Sequence, residues 1–200
     1  LSIFWSESRS SERSIQESPS SLINIVHRAP QIVKHPLQHT WTLWYFENDR
    51  SRKWEENQRE VIDFNTVEDF WCLFNHIKPA GELKNSSDYS LFKKGIRPMW
   101  EDDANKNGGR WLINIDKPTR DEINFLRYEN IVLCMIGEAF DEASDEICGA
   151  VVSIRAKAAK LGLWTGNANN EKRKLGFSLS TSVGSNRHSF IFPEPHGMVL

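Results

Sequence analysis

Cysteine is scarce in this chain of 200 residues. Cys72, Cys134 and Cys148 make an odd number, and no two of them stand in a CxxC pair. That argues against a disulfide framework or a thiolate zinc site and for a reducing compartment, read here as the cytoplasm with the nucleus as a second location. No apolar run approaches the roughly 18–20 residues that cross a bilayer. There is no excess of positive charge. The formal net charge is −2, whereas proteins that grip long nucleic acid by its phosphates are basic, so any nucleic-acid contact is expected to be small and local. The chain has no P-loop, no GxGxxG and no GxSxG. The cysteines lie in apolar or helical contexts, where a free thiol is normally inert packing. The run Glu101-Asp102-Asp103 reads as a solvated acidic turn. These absences give no enzyme, no metal site, no cofactor and no membrane or DNA partner. The start, Leu1-Ser2-Ile3-Phe4-Trp5, carries neither a secretory pattern nor an initiator Met, and reads as a fragment or a processed start.

What is present is enough for one domain with a full core, at 39% hydrophobic residues. Residues 1–34 are rich in Ser, Glu and Arg and read as a tail that buries too little apolar surface to offset its ordering entropy. The domain is expected over 35–192 and a second tail over 193–200. Thr40–Phe46 is β-rich and aromatic on both faces, as a central strand requires, and Val61–Phe64 is a second short strand. Thr66 opens a helix on which Val67, Phe70, Trp71, Phe74 and Ile77 recur at helical spacing, with Thr66 and Asp69 as a capping box. Arg110–Ile115 alternates as a strand. Pro118–Glu122 starts a helix running to Gly137. Ala150–Lys157 is a strand whose period of two puts Ser153, Arg155 and Lys157 on one face. Leu161–Trp164 follows, with Lys160 in or near the turn. The order reads as an α+β fold, an antiparallel sheet with helices on one face.

Two tryptophans stand where a core residue would be out of place. Trp54 lies in Asn48-Asp49-Arg50-Ser51-Arg52-Lys53-Trp54-Glu55-Glu56-Asn57, and Trp100 in Pro98-Met99-Trp100-Glu101-Asp102-Asp103. Two loop tryptophans, one followed by a carboxylate, suit a slot for a flat, electron-poor ring whose edge donates to that carboxylate. Arg155, Lys157 and Lys160 form a compact cationic group that suits a di- or triphosphate, although a solvated strand face is the commoner origin of such a pattern. Trp71 falls on the apolar stripe of its helix, so core packing is the default; a partly exposed Trp beside Val67 would instead anchor a partner's helix.

His35-Pro36-Leu37-Gln38, Trp41-Thr42-Leu43-Trp44, Thr66-Val67-Glu68-Asp69-Phe70-Trp71, Asp88-Tyr89-Ser90-Leu91-Phe92, Ile96-Arg97-Pro98-Met99-Trp100-Glu101-Asp102, Gly108-Gly109-Arg110-Trp111 and Cys148-Gly149-Ala150-Val151-Val152 together resemble the eukaryotic translation initiation factor 4E family of mRNA cap-binding proteins. The resemblance runs from about His35 to Asn170. It implies a curved antiparallel sheet shaped like a cupped hand, three helices on the convex back, and a cap slot on the concave face. It implies that N7-methylguanine slots between Trp54 and Trp100, that Glu101 accepts from the guanine N1–H and N2–H₂ edge, and that Trp164 touches the methyl group. By the same resemblance Arg155, Lys157 and Lys160 hold the triphosphate, with Arg110 near it through water. His35, Pro36, Val67, Trp71 and Gly137 match the convex surface that receives a Tyr-x-x-x-x-Leu-hydrophobic helix from the scaffold protein 4G or the 4E-binding proteins. The implied function is to bind the mRNA cap and recruit the ribosome-loading scaffold. The alternative is a cap-binding translational repressor or adaptor.

Two segments depart from the family's pattern. Tyr128-Glu129-Asn130 stands where the factor commonly has Trp-Leu, and is closer to the Trp-Glu-Asn of the related 4E homologous protein, a repressor; Trp54 points the other way, since that protein usually has Tyr there. After Asn169-Asn170-Glu171 the family continues with a long amphipathic helix and a strand. Here Lys172 to Val183 intervenes before Gly184-Ser185-Asn186, which resembles the family's tail element, with Ser185 at its phosphorylated serine and Leu175–Leu179 as a remnant of the strand.

Overall fold

A computed structural model describes residues 33–116, 128–156, 158–167 and 190–191. Strand β1, Pro36–Glu47, is flanked on one side by the edge strand β2, Gln58–Thr66, and on the other by β3, Ser87–Lys93. The sheet continues through β5, Ile147–Ile154, and β6, Ala158–Thr165, to β4, Gly109–Asp116, and ends on β7, Phe190–Ile191. Every neighbouring pair is antiparallel.

Register explains how the sheet makes two unlike faces. Successive side chains on a strand point to opposite sides, and paired residues point to the same side. Leu43, Leu91, Ala150, Leu163 and Trp111 pair in turn across five strands, and so do Tyr45, Tyr89, Val152, Leu161 and Ile113. These two apolar rows join the main core with Phe70, Ile131, Val132, Met135 and Ile136. Phe70 comes from helix α2, Val67–His76, and the other four from helix α3, Glu129–Ile136; the short helix α1, Trp54–Asn57, lies instead between β1 and β2. The longer helices therefore cover one face, the convex back, and the residues between the apolar rows look out from the other.

Helix α2 begins where the capping pattern places it. The Thr66 hydroxyl accepts from the Asp69 backbone N–H at 3.2 Å and donates to the Asp69 carboxylate at 2.7 Å. It ends when Ile77 turns extended, ahead of Lys78 and Pro79. Helix α3 ends at Gly137, as read from the sequence. The start expected for it at Pro118–Glu122 lies outside the described residues.

Several expectations are corrected. Strand β3 is not among the expected strands, although Asp88-Tyr89-Ser90-Leu91-Phe92 carries a period-two alternation. Its polar half, Asp88 and Ser90, consists of weak strand formers. It pairs with both β1 and β5. The strand expected over 150–157 ends at Ile154, because the Arg155 N–H turns to the Ala158 carbonyl at 3.0 Å and closes the β5–β6 hairpin. Lys160 consequently lies within β6, opposite Ser153, and not in the turn. Ser153 and Arg155 do not share a regular strand face. Phe190–Ile191 pairs with Ile113 and Leu112 of β4, within a stretch read as lacking pattern. Lys34, read as the last tail residue, is ion-paired to Asp69 at 2.6 Å. Residues 1–32, Leu175–Leu179, Ser185 and 193–200 lie outside the described residues.

Candidate functional site

The concave face is built from three rows. Phe46, Asp88, Ser153 and Lys160 pair in turn, with Gln58 beside Phe46. Ser90, Val151, Gly162 and Leu112 form the next row, and Phe92, Gly149, Trp164 and Arg110 the third. The rows run from polar and charged at the hairpin end to aromatic at the other. Gly149 is required by this packing: a Cβ there would sit 2.4 Å from the Phe92 ring.

These rows floor a cavity of about 740 Å³. Trp54, Trp100, Arg110, Arg155, Lys160 and Trp164 all line it, with Phe46, Gln58, Asp88 and Ser153 among the others. The register thus gathers six side chains that are more than 100 positions apart in sequence at the extremes. Lys157 lies outside the described residues. Glu101 is exposed and is not part of this lining.

The two expected walls differ. Trp54 opens helix α1 and is 48% exposed, with its ring centroid 6.0 Å from that of Phe46. This is the wet tryptophan expected from its charged surroundings. Trp100 is instead packed. Its ring lies 3.3 Å from that of Trp164, 21° from parallel, and the Arg110 guanidinium carbon is 4.9 Å from its centroid. Trp164 and Arg110 are cross-strand neighbours, so Trp100 covers both. Stacking of this kind and cation–π attraction stabilise an otherwise costly loop Trp. Phe92, Cys148 and Trp164 form a second apolar cluster beneath it. Burial pushes the Cys148 thiol up to about 11, leaving it a neutral packing group.

At the hairpin end, Arg155 donates to both oxygens of Asp88, at 2.5 and 3.2 Å, and to the Ile154 carbonyl at 2.9 Å. This forked pair fixes the guanidinium plane at the cavity wall. Lys160 stands one pairing step from Ser153 and two from Asp88. The cavity therefore pairs an aromatic end with a cationic end, the arrangement that a base joined to phosphates calls for.

On the convex back, Val67 and Trp71 are one helical turn apart on α2 and are 36% and 37% exposed. The core-packing default for Trp71 is thereby set aside. Its ring is propped by Phe70 and Phe74, at centroid distances of 5.0 and 6.2 Å, and Phe74 stacks on the buried Tyr128. His35 is tied to the same helix: its backbone carbonyl accepts from Val67 N–H, and its backbone N–H and ring Nδ1 both meet the Glu68 carboxylate. His35 holds the Glu68 carboxyl below the usual range, and Lys34 does the same to Asp69. Both folded-state values lie under those of the unfolded chain, so these ties are whole at neutral pH and are lost as pH falls through the lowered values. Pro36 and Gly137 are exposed, and near them in sequence His39 and Glu138 approach to 3.7 Å.

Comparison with known proteins agrees with this architecture. The family model described as Eukaryotic initiation factor 4E matches residues 36–190. Eukaryotic translation initiation factor 4E1 of Drosophila melanogaster is 57% identical over 148 residues, covering 74% of this chain and 56% of the relative. The 4E factor of Aplysia californica is 52% identical over 154 residues, covering 76% of this chain and 72% of the relative. Among solved structures, C. elegans eIF4E-3 in complex with the 4E-binding protein Mextli and a cap analog superposes with a TM-score of 0.73 at 42% identity, covering 80% of this chain and 93% of that one. With the family model matched across residues 36–190 and the fold superposing on a solved member, the chain belongs to the eukaryotic initiation factor 4E family.

Proposed function

We propose that this chain binds the N7-methylguanosine triphosphate cap of mRNA in the concave cavity and presents α2 to a helical motif of a scaffold or regulator during translation initiation. The observation that carries the reading is the cavity lining, which brings Trp54, Trp100, Arg155 and Lys160 together around one cavity. The C. elegans relative was solved with a cap analog and a 4E-binding protein together, which fits a protein that uses both faces at once. The cytoplasm is the proposed site of action, with the nucleus as a second.

In this reading the base stacks between Trp54 and Trp100, and Glu101 accepts from its N1–H and N2–H₂ edge. Adenine offers no such donors. Trp164 is 5% exposed because Trp100 lies on it. Contact between the methyl group and Trp164 therefore requires the Trp100 side chain to turn off that ring. Methylation makes the base cationic. The cation–π gain of about 2 kcal/mol in a desolvated slot corresponds to roughly thirtyfold. Fluorescence titration should show that tighter binding for N7-methyl-GTP than for GTP; equal affinities would end the cap reading.

Arg155 and Lys160, with Lys157 and, through water, Arg110, are assigned the phosphates. The Arg155→Ala, Lys160→Ala double variant should bind N7-methyl-GMP and N7-methyl-GTP within about threefold of each other, whereas the unaltered chain prefers the triphosphate by at least tenfold, since charged contacts contribute about 1.5–3 kcal/mol each. With about three cations engaged, log affinity should fall against log salt with a slope of about −2. A slope several times steeper would point to an extended RNA surface instead.

A second reading keeps the cap site and changes the partner. Glu129 occupies the first turn of α3 and is partly exposed, while Tyr128 before it is buried against Phe74. A carboxylate there disfavours strongly apolar motifs and suits a repressor or adaptor whose helix carries a basic residue.

A further inference from the structure

We infer that Asn105, with Asp102, is a positioning residue for Trp100: the two side chains lock the backbone on either side of Trp100-Glu101, so that ligand entry is a rotation of side chains on a fixed frame. The inference rests on the cap reading.

The loop between β3 and β4 is held by turn-type backbone bonds and by side chains. Asn105 contributes from a side chain that is 1% exposed. Its amide nitrogen donates to the Arg97 carbonyl and to the Met99 carbonyl, both at 2.8 Å. Met99 is the residue just before Trp100. From the other side, the Asp102 carboxylate accepts from Arg97 N–H and from Ala104 N–H, both at 3.0 Å. Backbone bonds close the frame: Asp102 N–H to the Met99 carbonyl at 3.4 Å, Asn105 N–H to the Asp102 carbonyl at 2.9 Å, and Gly108 N–H to the Asn105 carbonyl at 2.9 Å. Gly108 is pressed so closely on β6 that a Cβ would overlap the Thr165 carbonyl. The loop is thereby pinned to the strand that carries Trp164.

The orientation of the Asn105 amide is settled by these contacts. Turning it over would set its oxygen against two carbonyls. In the orientation seen, its own Oδ1 is buried with no hydrogen-bond partner, so the two donor contacts prevail over satisfying the acceptor. Trp100 and Glu101 are left between the ties. Their peptide groups are bracketed, and their side chains are the parts that can turn. A stacking wall held this way meets the base at a set height, which is what preorganisation of a recognition group requires.

The test uses the full chain and two ratios of dissociation constants. One is GTP over N7-methyl-GTP, which reports the base slot. The other is N7-methyl-GMP over N7-methyl-GTP, which reports the phosphate end. In Asn105→Ala the first ratio is expected to fall at least fivefold while the second stays within twofold. The near-ultraviolet circular dichroism of the close Trp100–Trp164 pair should weaken, with Trp100→Phe as the reference for its complete loss. Asp102→Asn, at a more accessible position, should shift the first ratio in the same direction and serves if Asn105→Ala does not fold. Unchanged ratios and an unchanged spectrum in the variants would overturn the proposal, as would a fall of both ratios together in step with lost thermal stability, which marks a merely structural role. If the unaltered chain itself does not favour N7-methyl-GTP over GTP, the cap reading fails, and this proposal with it. If it does and the variants match it, only the proposal fails.

Discussion

Trp54→Ala and Trp100→Ala are each expected to weaken N7-methyl-GTP binding by about a hundredfold. Stacking on an aromatic side chain contributes about 1–3 kcal/mol per base. A cationic base adds about 2 kcal/mol, shared between the two rings. A loss near 3 kcal/mol per wall is thus about a hundredfold. The two substitutions differ in what else they disturb. Trp54 is half exposed and touches Phe46, so its removal should leave the melting temperature almost unchanged. Trp100 covers Trp164 and Arg110, so its removal also uncovers an apolar ring and should lower stability modestly. Trp fluorescence should be quenched on binding in the unaltered chain. A loss below threefold for either variant, measured by a method that does not depend on that fluorescence, would show that the residue is not a wall of the slot.

Trp71→Ala is expected to reduce binding of a Tyr-x-x-x-x-Leu-hydrophobic peptide by at least thirtyfold while leaving the domain folded. Buried aromatic anchors at interfaces commonly contribute 2 kcal/mol or more on truncation, about thirtyfold. Trp71 meets the conditions for such an anchor. It is 37% exposed beside Val67, and Phe70 and Phe74 hold its ring from behind. An apolar edge of this kind on a helix suits an amphipathic helix laid across it. The same titration run with a basic residue placed opposite Glu129 should recover affinity relative to an apolar one. Equal binding with and without Trp71, or unfolding of Trp71→Ala, would return this residue to the core and remove the partner surface.

Local features of the fold were legible where a side chain and its backbone neighbour settle the matter alone. Thr66 and Asp69 announced the start of α2, and Gly137 the end of α3. The hairpin between β5 and β6 was not legible, because Ser153 to Lys160 contains no Gly, Pro, Asn or Asp to mark a turn. Its position is set by pairing: once Ser153 faces Lys160, the turn must fall at 155–158. The misplaced Lys160 follows from that. Of the site, the charged setting of Trp54 gave its exposure correctly. The same argument failed for Trp100, because the partners that cover it, Trp164 and Arg110, arrive from strands more than 50 residues and 10 residues away and leave no local trace. The frame around Trp100 was hidden for the opposite reason. Asp102 and Asn105 are common turn residues, and nothing in their spacing distinguishes a buried brace from a solvated bend.

The row construction of the concave face has a consequence for how this chain can tolerate change in length. The site is written in parity. On β6, Lys160, Gly162 and Trp164 face the cavity, while Leu161 and Leu163 enter the core. Inserting or deleting one residue between Lys160 and Trp164 would reverse the facing of the residues on one side of the change relative to those on the other, so that Lys160 and Trp164 could no longer both face the cavity. A change of two residues would keep the faces but alter the span from the aromatic end to the cationic end by about 7 Å, more than a hydrogen bond can bridge. The strands therefore act as a ruler graduated in pairs, and variation in length is confined to the connections between them.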